Sequence, residues 1–244
     1  MNLLTTELYK EKLTWLVWFL IVIVFFQAVL IFLAAYFGGS VEPFVLFSFQ
    51  PSRIFMLVLG IMSAYRFLDY YYHLGQTRKR YFKSSLAATS LLTLTMLVLF
   101  FFVSLVEKGV FRLFGLPGSM LSAEEGTNIV NENGHLGIHM QFSTEGVGLL
   151  DSPTLFILFF AIQLLFFYGV GWLISVGFYR YGWLIGLGFV LLALVFLSLN
   201  EWIWSNPVRE AIPIWFIYMG SVAITMLALR FVYRFVKKTP IKIK

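Results

Sequence analysis

The sequence contains no cysteine, which excludes a disulfide framework, thiol chemistry and a cysteine-built metal site. Charge is scarce too: 12% of residues are Asp, Glu, Lys or Arg, against 60% hydrophobic and 19% aromatic. With a mean hydropathy of +0.86, the chain has too little polar surface to cover a water-soluble core, and it belongs in a membrane. Catalytic signatures are missing as well. There is no Gly-x-x-x-x-Gly-Lys-Ser/Thr string to cradle phosphates, no His-Glu-x-x-His string, no Ser/His/Asp arrangement and no pair of carboxylates within the apolar runs. His135 and His139 stand four apart near Glu132, but Gly134 and Gly137 oppose the helix that would aim them at one ion. The expectation is a chain with no catalytic residue and no metal site, and not an enzyme by itself.

What is present is a series of apolar runs. A spanning helix needs about 20 mostly apolar residues, and six segments qualify: Leu13 to Phe37, Ile54 to Tyr72, Leu86 to Val106, Thr154 to Phe178, Trp183 to Leu199 and Ile214 to Phe235. The fold class is therefore an all-α polytopic membrane protein, with residues 1–244 as a single transmembrane domain. Residues 1–12 set Leu3, Leu4 and Leu8 beside alternating charges, as an amphipathic helix lying at the interface does. The first run is far longer than the apolar region of a signal peptide, so it reads as an uncleaved anchor despite the string Leu33-Ala34-Ala35. Gly38-Gly39-Ser40 and Pro43 break the chain after it and leave a turn-rich linker to Arg53. Residues 107–153 carry Glu124, Glu125, Glu132, Glu145 and Asp151. They read as an external loop with a short interfacial helix near Val110 to Phe114. Trp183, Trp202 and Trp204 read as interfacial anchors.

The basic residues orient the map. With both termini in the cytoplasm, all of the 18 lysines and arginines except Arg53, Lys108, Arg112 and Arg209 fall on the cytoplasmic side, as the positive-inside tendency requires. The net charge of +6 is then directed at anionic headgroups and cytoplasmic partners, not at nucleic acid. Within the spans, Gln27 and Gln163 are expected to make polar contacts between helices, or along a substrate path. Arg66 and Asp69, three apart near the cytoplasmic end of the second span, read as a structural pair. Gly182 and Gly186, with Gly169, Gly171, Gly177 and Gly188 around them, allow close helix approach.

Between the second and third spans lies Gly75-Gln76-Thr77-Arg78-Lys79-Arg80-Tyr81-Phe82. Thr77 is placed to cap a short helix from Arg78 to Ser85, a basic lever projecting from two spans. A second string, Gly177-Phe178-Tyr179-Arg180-Tyr181-Gly182, follows the fourth span. Together with six spans and an amphipathic N-terminal segment, these strings resemble the permease subunit of bacterial ABC-2-type transporters.

The resemblance implies a cytoplasmic coupling helix that docks on a separate ATPase subunit through Gly75, Gln76, Thr77, Arg78, Lys79, Arg80, Tyr81 and Phe82. Glu7, Leu8, Tyr9 and Lys10 would form a second contact. It also implies ATP and Mg on the partner ATPase and none on this chain, a second permease that is the same or a related chain, and a place in the bacterial plasma membrane. One feature departs from the family pattern: many such exporters carry their larger external elements between helices five and six, whereas here that link is only Asn200 to Pro213 and the insertion follows helix three. The reading from another class is a noncatalytic membrane sensor or anchor whose outer loop binds a ligand or partner. A secondary transporter is disfavoured, because no charge stands clearly at mid-span and no inverted half-repeat is evident.

Overall fold

In hydrocarbon each backbone N–H and C=O must find its partner within its own segment, and runs of Leu, Phe, Ile and Val offer no side chain to supply one. Helix is the result. The computed structural model describes residues 3–37, 41–64, 71, 77–113 and 153–237. These form α1 (Leu3–Phe37), α2 (Phe44–Phe47), α3 (Phe49–Met62), α4 (Arg78–Leu113), α5 (Pro153–Tyr181), α6 (Trp183–Trp204), α7 (Asn206–Ala211) and α8 (Ile214–Lys237). Six segments are long and apolar enough to cross a membrane: Leu3–Phe37, Phe44–Met62, Arg78–Leu113, Thr154–Tyr181, Trp183–Trp204 and Ile214–Lys237. The chain is an all-α, multi-pass membrane protein.

Several boundaries differ from those expected, in each case because nothing in the chain stops the helix. No breaker separates residues 12 and 13, so the expected interfacial helix is the first turns of α1. The second span begins near Phe44, well before Ile54. Pro43 starts a helical turn there, its carbonyl accepting from Leu46 N and Phe47 N at 2.9 and 3.1 Å. Pro51 falls in the first turn of α3, where a missing N–H removes no helical bond. Ser63 and Ala64 prolong α3 as a π-helical turn. The short helix 78–85, the third span and the interfacial helix near Val110 merge into one 36-residue helix. Helix α6 runs on to Trp204, and most of the link after it is α7, with Pro207 in its first turn. Of the expected loop 107–153, residues 114–152 lie outside the described residues, with Glu132, His135 and His139. So do Arg66, Asp69, Gly75 and Gln76.

The chain divides into two units, one of residues 1–14, 52–94 and 145–244 and the other of residues 15–51 and 95–144. In the first, α5 is the central helix: Phe156, Phe160, Leu164, Tyr168, Trp172 and Val176 are all buried, and its main neighbours are α6 and α8. Gly182 makes the turn from α5 to α6 at φ +82°, a conformation that side chains disfavour. Its N–H donates to Phe178 O at 3.1 Å and its carbonyl accepts from Gly186 N at 3.0 Å. Of the two glycines expected to pack helices, Gly186 does so against the Phe178 ring, whereas Gly182 faces open space and serves the turn. The tightest approach joins α3 to α5. A Cβ at Gly60 would strike the Tyr168 carbonyl, and one at Gly171 would strike the Leu57 carbonyl.

In the second unit, Phe44 meets Phe100 edge-on at 5.6 Å. On α1, Trp18, Phe25, Phe32 and Tyr36 are each more than 60% exposed, a surface suited to hydrocarbon or to another apolar helix.

Candidate functional site

The buried face of α1 repeats every four residues: Leu4, Leu8, Lys12 and Leu16 are all buried. Lys12, expected at the headgroups, is fully enclosed in the first unit. Its Nζ donates to Thr89 Oγ1 at 2.7 Å, to Tyr168 OH at 3.1 Å and to Ser85 Oγ at 3.2 Å. An ammonium has three hydrogens, and three hydroxyl oxygens receive them. The same Nζ stands 4.7 Å from the centroid of the Tyr168 ring, within cation–π range. Among the described residues no carboxylate forms an ion pair with it.

The hydrogens of this cluster can be followed one by one. Ser63 Oγ donates to Leu59 O at 2.9 Å, so its 2.8 Å contact with Tyr168 is donated by the phenol. That spends the Tyr168 hydrogen, and the 2.9 Å contact between Ser85 and Tyr168 is therefore donated by Ser85. Thr89 Oγ1 donates to Ser85 O at 2.9 Å. Tyr81 OH donates to Ser63 O at 2.6 Å. Four chain segments thus meet on Tyr168: the first turns of α1, the π turn after α3, the first turns of α4, and the middle of α5. The glycine contact between α3 and α5 is what brings Ser63 within reach of Tyr168. Burying an ammonium costs several kcal/mol even after relaxation, so a sequence that places Lys12 among hydroxyls holds a cation against an opposing term.

An aromatic layer lies beside the cluster. Trp172 packs edge-on to Tyr81 at 6.1 Å, tilted on Tyr168 at 5.6 Å and stacked on Phe82 at 5.1 Å. Its Nε1 is buried with no hydrogen-bond partner among the described residues. Phe82 also meets Tyr233 at 5.1 Å.

The residues expected to dock on a partner are divided by this packing. Thr77 caps α4 as anticipated, its Oγ1 accepting from Arg80 N at 3.3 Å. Lys79 and Arg80 are exposed, and Arg78 Nη1 donates to the Lys237 carbonyl at 3.1 Å. Tyr81 and Phe82 point the other way. Because α4 is continuous, Tyr81 shares a face with the buried Ser85, Ala88 and Leu92, so it belongs to the interior and not to a docking surface. In the N-terminal set, Glu7 and Lys10 are exposed, Tyr9 is half-buried and Leu8 is fully buried.

The two intramembrane glutamines each join helices. Gln163 Oε1 accepts from Asn200 Nδ2 at 3.0 Å. Asn200 Oδ1 in turn accepts from Ser221 Oγ at 3.3 Å, and Ser221 Oγ accepts from Trp204 Nε1 at 3.4 Å. Trp204, expected at the interface, is therefore a core residue, while Trp183 and Trp202 remain exposed. In the second unit, Gln27 Nε2 donates to Glu107 Oε1 and to Glu42 O, both at 2.9 Å. Glu107 Oε2 accepts from Phe44 N at 2.9 Å, so this acid is buried structure and not part of an external loop. Arg53 and Glu201, both expected outside the membrane, form an ion pair. The Arg53 guanidinium also lies 4.3 Å from the Phe167 ring centroid.

Comparison of the chain with protein-family models, with curated proteins and with solved structures finds no match. The likeness to ABC-2-type permeases rests on the two strings and the layout of spans. Among the described residues no group of three or more His, Asp or Glu could hold a metal ion. Sequence reasoning missed Lys12, Ser63, Tyr168 and Gly60. The repeat Leu4, Leu8, Lys12, Leu16 was the available signal for Lys12.

Proposed function

We propose that the chain is the membrane-spanning permease subunit of an ATP-driven transporter, an exporter of the bacterial plasma membrane. In this reading it works with a second permease and with a separate cytoplasmic ATPase that binds ATP and Mg. One observation carries it: the exposed basic turn at Lys79, Arg80 and Lys83 is the beginning of the same unbroken helix that crosses the membrane. At about 1.5 Å per residue, α4 is a rod roughly 50 Å long, and a push on its basic end is delivered along a whole span. The Lys12 and Tyr168 hydrogen bonds tie the first turns of α1 and the middle of α5 to those same turns. Closure of the ATPase around nucleotide would thereby reorient several helices together. The chain lacks a phosphate-cradling string, so hydrolysis belongs to the partner.

The test is to purify the chain by affinity from its native membranes in mild detergent, identify the co-purifying subunits and assay ATP hydrolysis. An ATPase subunit and nucleotide-dependent activity are the expected result. A preparation containing no nucleotide hydrolase overturns the proposal in favour of a sensor or anchor.

A further inference from the structure

At the basic end of the first unit, the last turns of α5 and α8 line a half-open recess of about 840 Å³, a volume within the range of small-ligand sites. Its cations are Arg180, Arg230, Arg234 and Lys237, and none of the described residues lining it is acidic. Rings of Tyr181, Phe231, Tyr233 and Phe235 complete the wall. Part of this charge is fixed in place: the Arg180 guanidinium lies 4.6 Å from the Tyr181 ring centroid, and its Nη1 donates to the Phe235 carbonyl at 3.5 Å. The carbonyls at the two helix ends favour cations nearby, which accounts for one or two of the four. It does not account for four cations converging on one cavity.

We propose that this recess binds the headgroup of an anionic phospholipid, with the phosphate among the arginines and the first acyl carbons against the rings. A lipid fits better than a soluble phosphate because the chain runs on from the recess-lining Tyr181 into exposed apolar residues: Trp183 and Leu184, directly after the Gly182 turn, are 69% and 70% exposed. A water-soluble ligand gains nothing from that surface, whereas an acyl chain covers it. Arginines and lysines near a membrane surface favour anionic over zwitterionic headgroups, and basic recesses between spanning helices hold such headgroups specifically. The proposal is independent of the transport reading.

The experiment reconstitutes the full chain in nanodiscs of phosphatidylcholine with a minor share of phosphatidylglycerol, then counts retained lipid by native mass spectrometry after release into detergent. Wild-type protein is expected to keep phosphatidylglycerol preferentially. The double variant Arg180→Gln/Arg234→Gln should lose that retention roughly 30-fold, from about fivefold per basic residue facing anionic lipid. Lys79→Gln/Lys83→Gln removes the same charge at the same end outside the recess and should retain lipid as wild type does. Should the arginine double variant fail to fold, Arg230→Gln alone, at an exposed position, is expected to lose about fivefold. Equal losses in the recess and control variants would overturn the site, as would displacement of bound lipid by millimolar glycerol phosphate or inorganic phosphate.

Discussion

Gly171→Leu is expected to leave almost no monodisperse protein after detergent extraction, whereas Gly188→Leu on the neighbouring span is expected to extract as wild type does. The difference lies in what each side chain would meet. Around Gly188 no heavy atom of the described residues, its own helix backbone aside, lies within 4 Å of a Cβ position, but at Gly171 the obstacle is the Leu57 backbone. Overpacking costs about 1–3 kcal/mol where side chains can move aside, and a helical backbone cannot do so without moving the helix. Separating α3 from α5 also breaks the bond from Tyr168 to Ser63 and the bond from Ser175 to the Ile61 carbonyl, each worth about 1 kcal/mol. The total approaches about 5 kcal/mol, comparable to the lower end of the roughly 5–15 kcal/mol that holds a typical folded domain. Size-exclusion profiles of the two variants, at matched expression, check this. Indistinguishable profiles would mean that the α3 and α5 contact does not hold the unit together.

Tyr168→Phe is expected to destabilise the protein by about 2–4 kcal/mol, and Lys12→Met by less than about 1 kcal/mol. This order reverses the usual intuition that the charge matters most. Removing the phenol oxygen strips an acceptor from both Ser85 and Lys12 and a donor from Ser63, leaving buried polar groups unmet. Replacing Lys12 by Met keeps the length of the stem and relieves the desolvation of a buried cation. Thr89, Ser85 and Tyr168 all keep a bond of their own, to Ser85 O, Tyr168 and Ser63 in turn. Because the two residues share a network, the double variant should cost less than the sum of the singles. Unfolding midpoints of the four proteins in one detergent supply the cycle. A Lys12→Met loss equal to that of Tyr168→Phe would contradict the hydrogen accounting.

The class of fold was legible because the bilayer leaves few choices: apolar runs of spanning length must be helical, and six helices long and apolar enough to span stand among the described residues. Their ends were not, since a helix stops only at a breaker and the stretches before Leu13 and between Ser85 and Leu86 contain none. Lys12 was read by its charge as a headgroup contact, although its spacing from Leu8 and Leu16 put it on the buried face. The same face argument, applied to α4, would have turned Tyr81 inward with Ser85 and Leu92. Other features had no local signal. Gly60 matters because of Gly171, and Gln27 because of Glu107 some 80 residues away, pairings that exist only once helices are packed. Trp202 and Trp204 stand two apart on one helix, yet only contact with Ser221 and the rings of Phe159 and Tyr218 separates the buried one from the exposed one.

The claim that the basic end of α4 receives a partner ATPase is tested most directly by Lys79→Glu/Arg80→Glu. Both side chains are exposed, and Arg78, held by the Lys237 carbonyl, is left unchanged so that the helix end stays in place. Affinity purification of this double variant from native membranes should give the same amount of inserted, monodisperse protein as wild type, with the ATPase subunit and its hydrolytic activity lost. Recovery of the ATPase in undiminished amount would contradict the account.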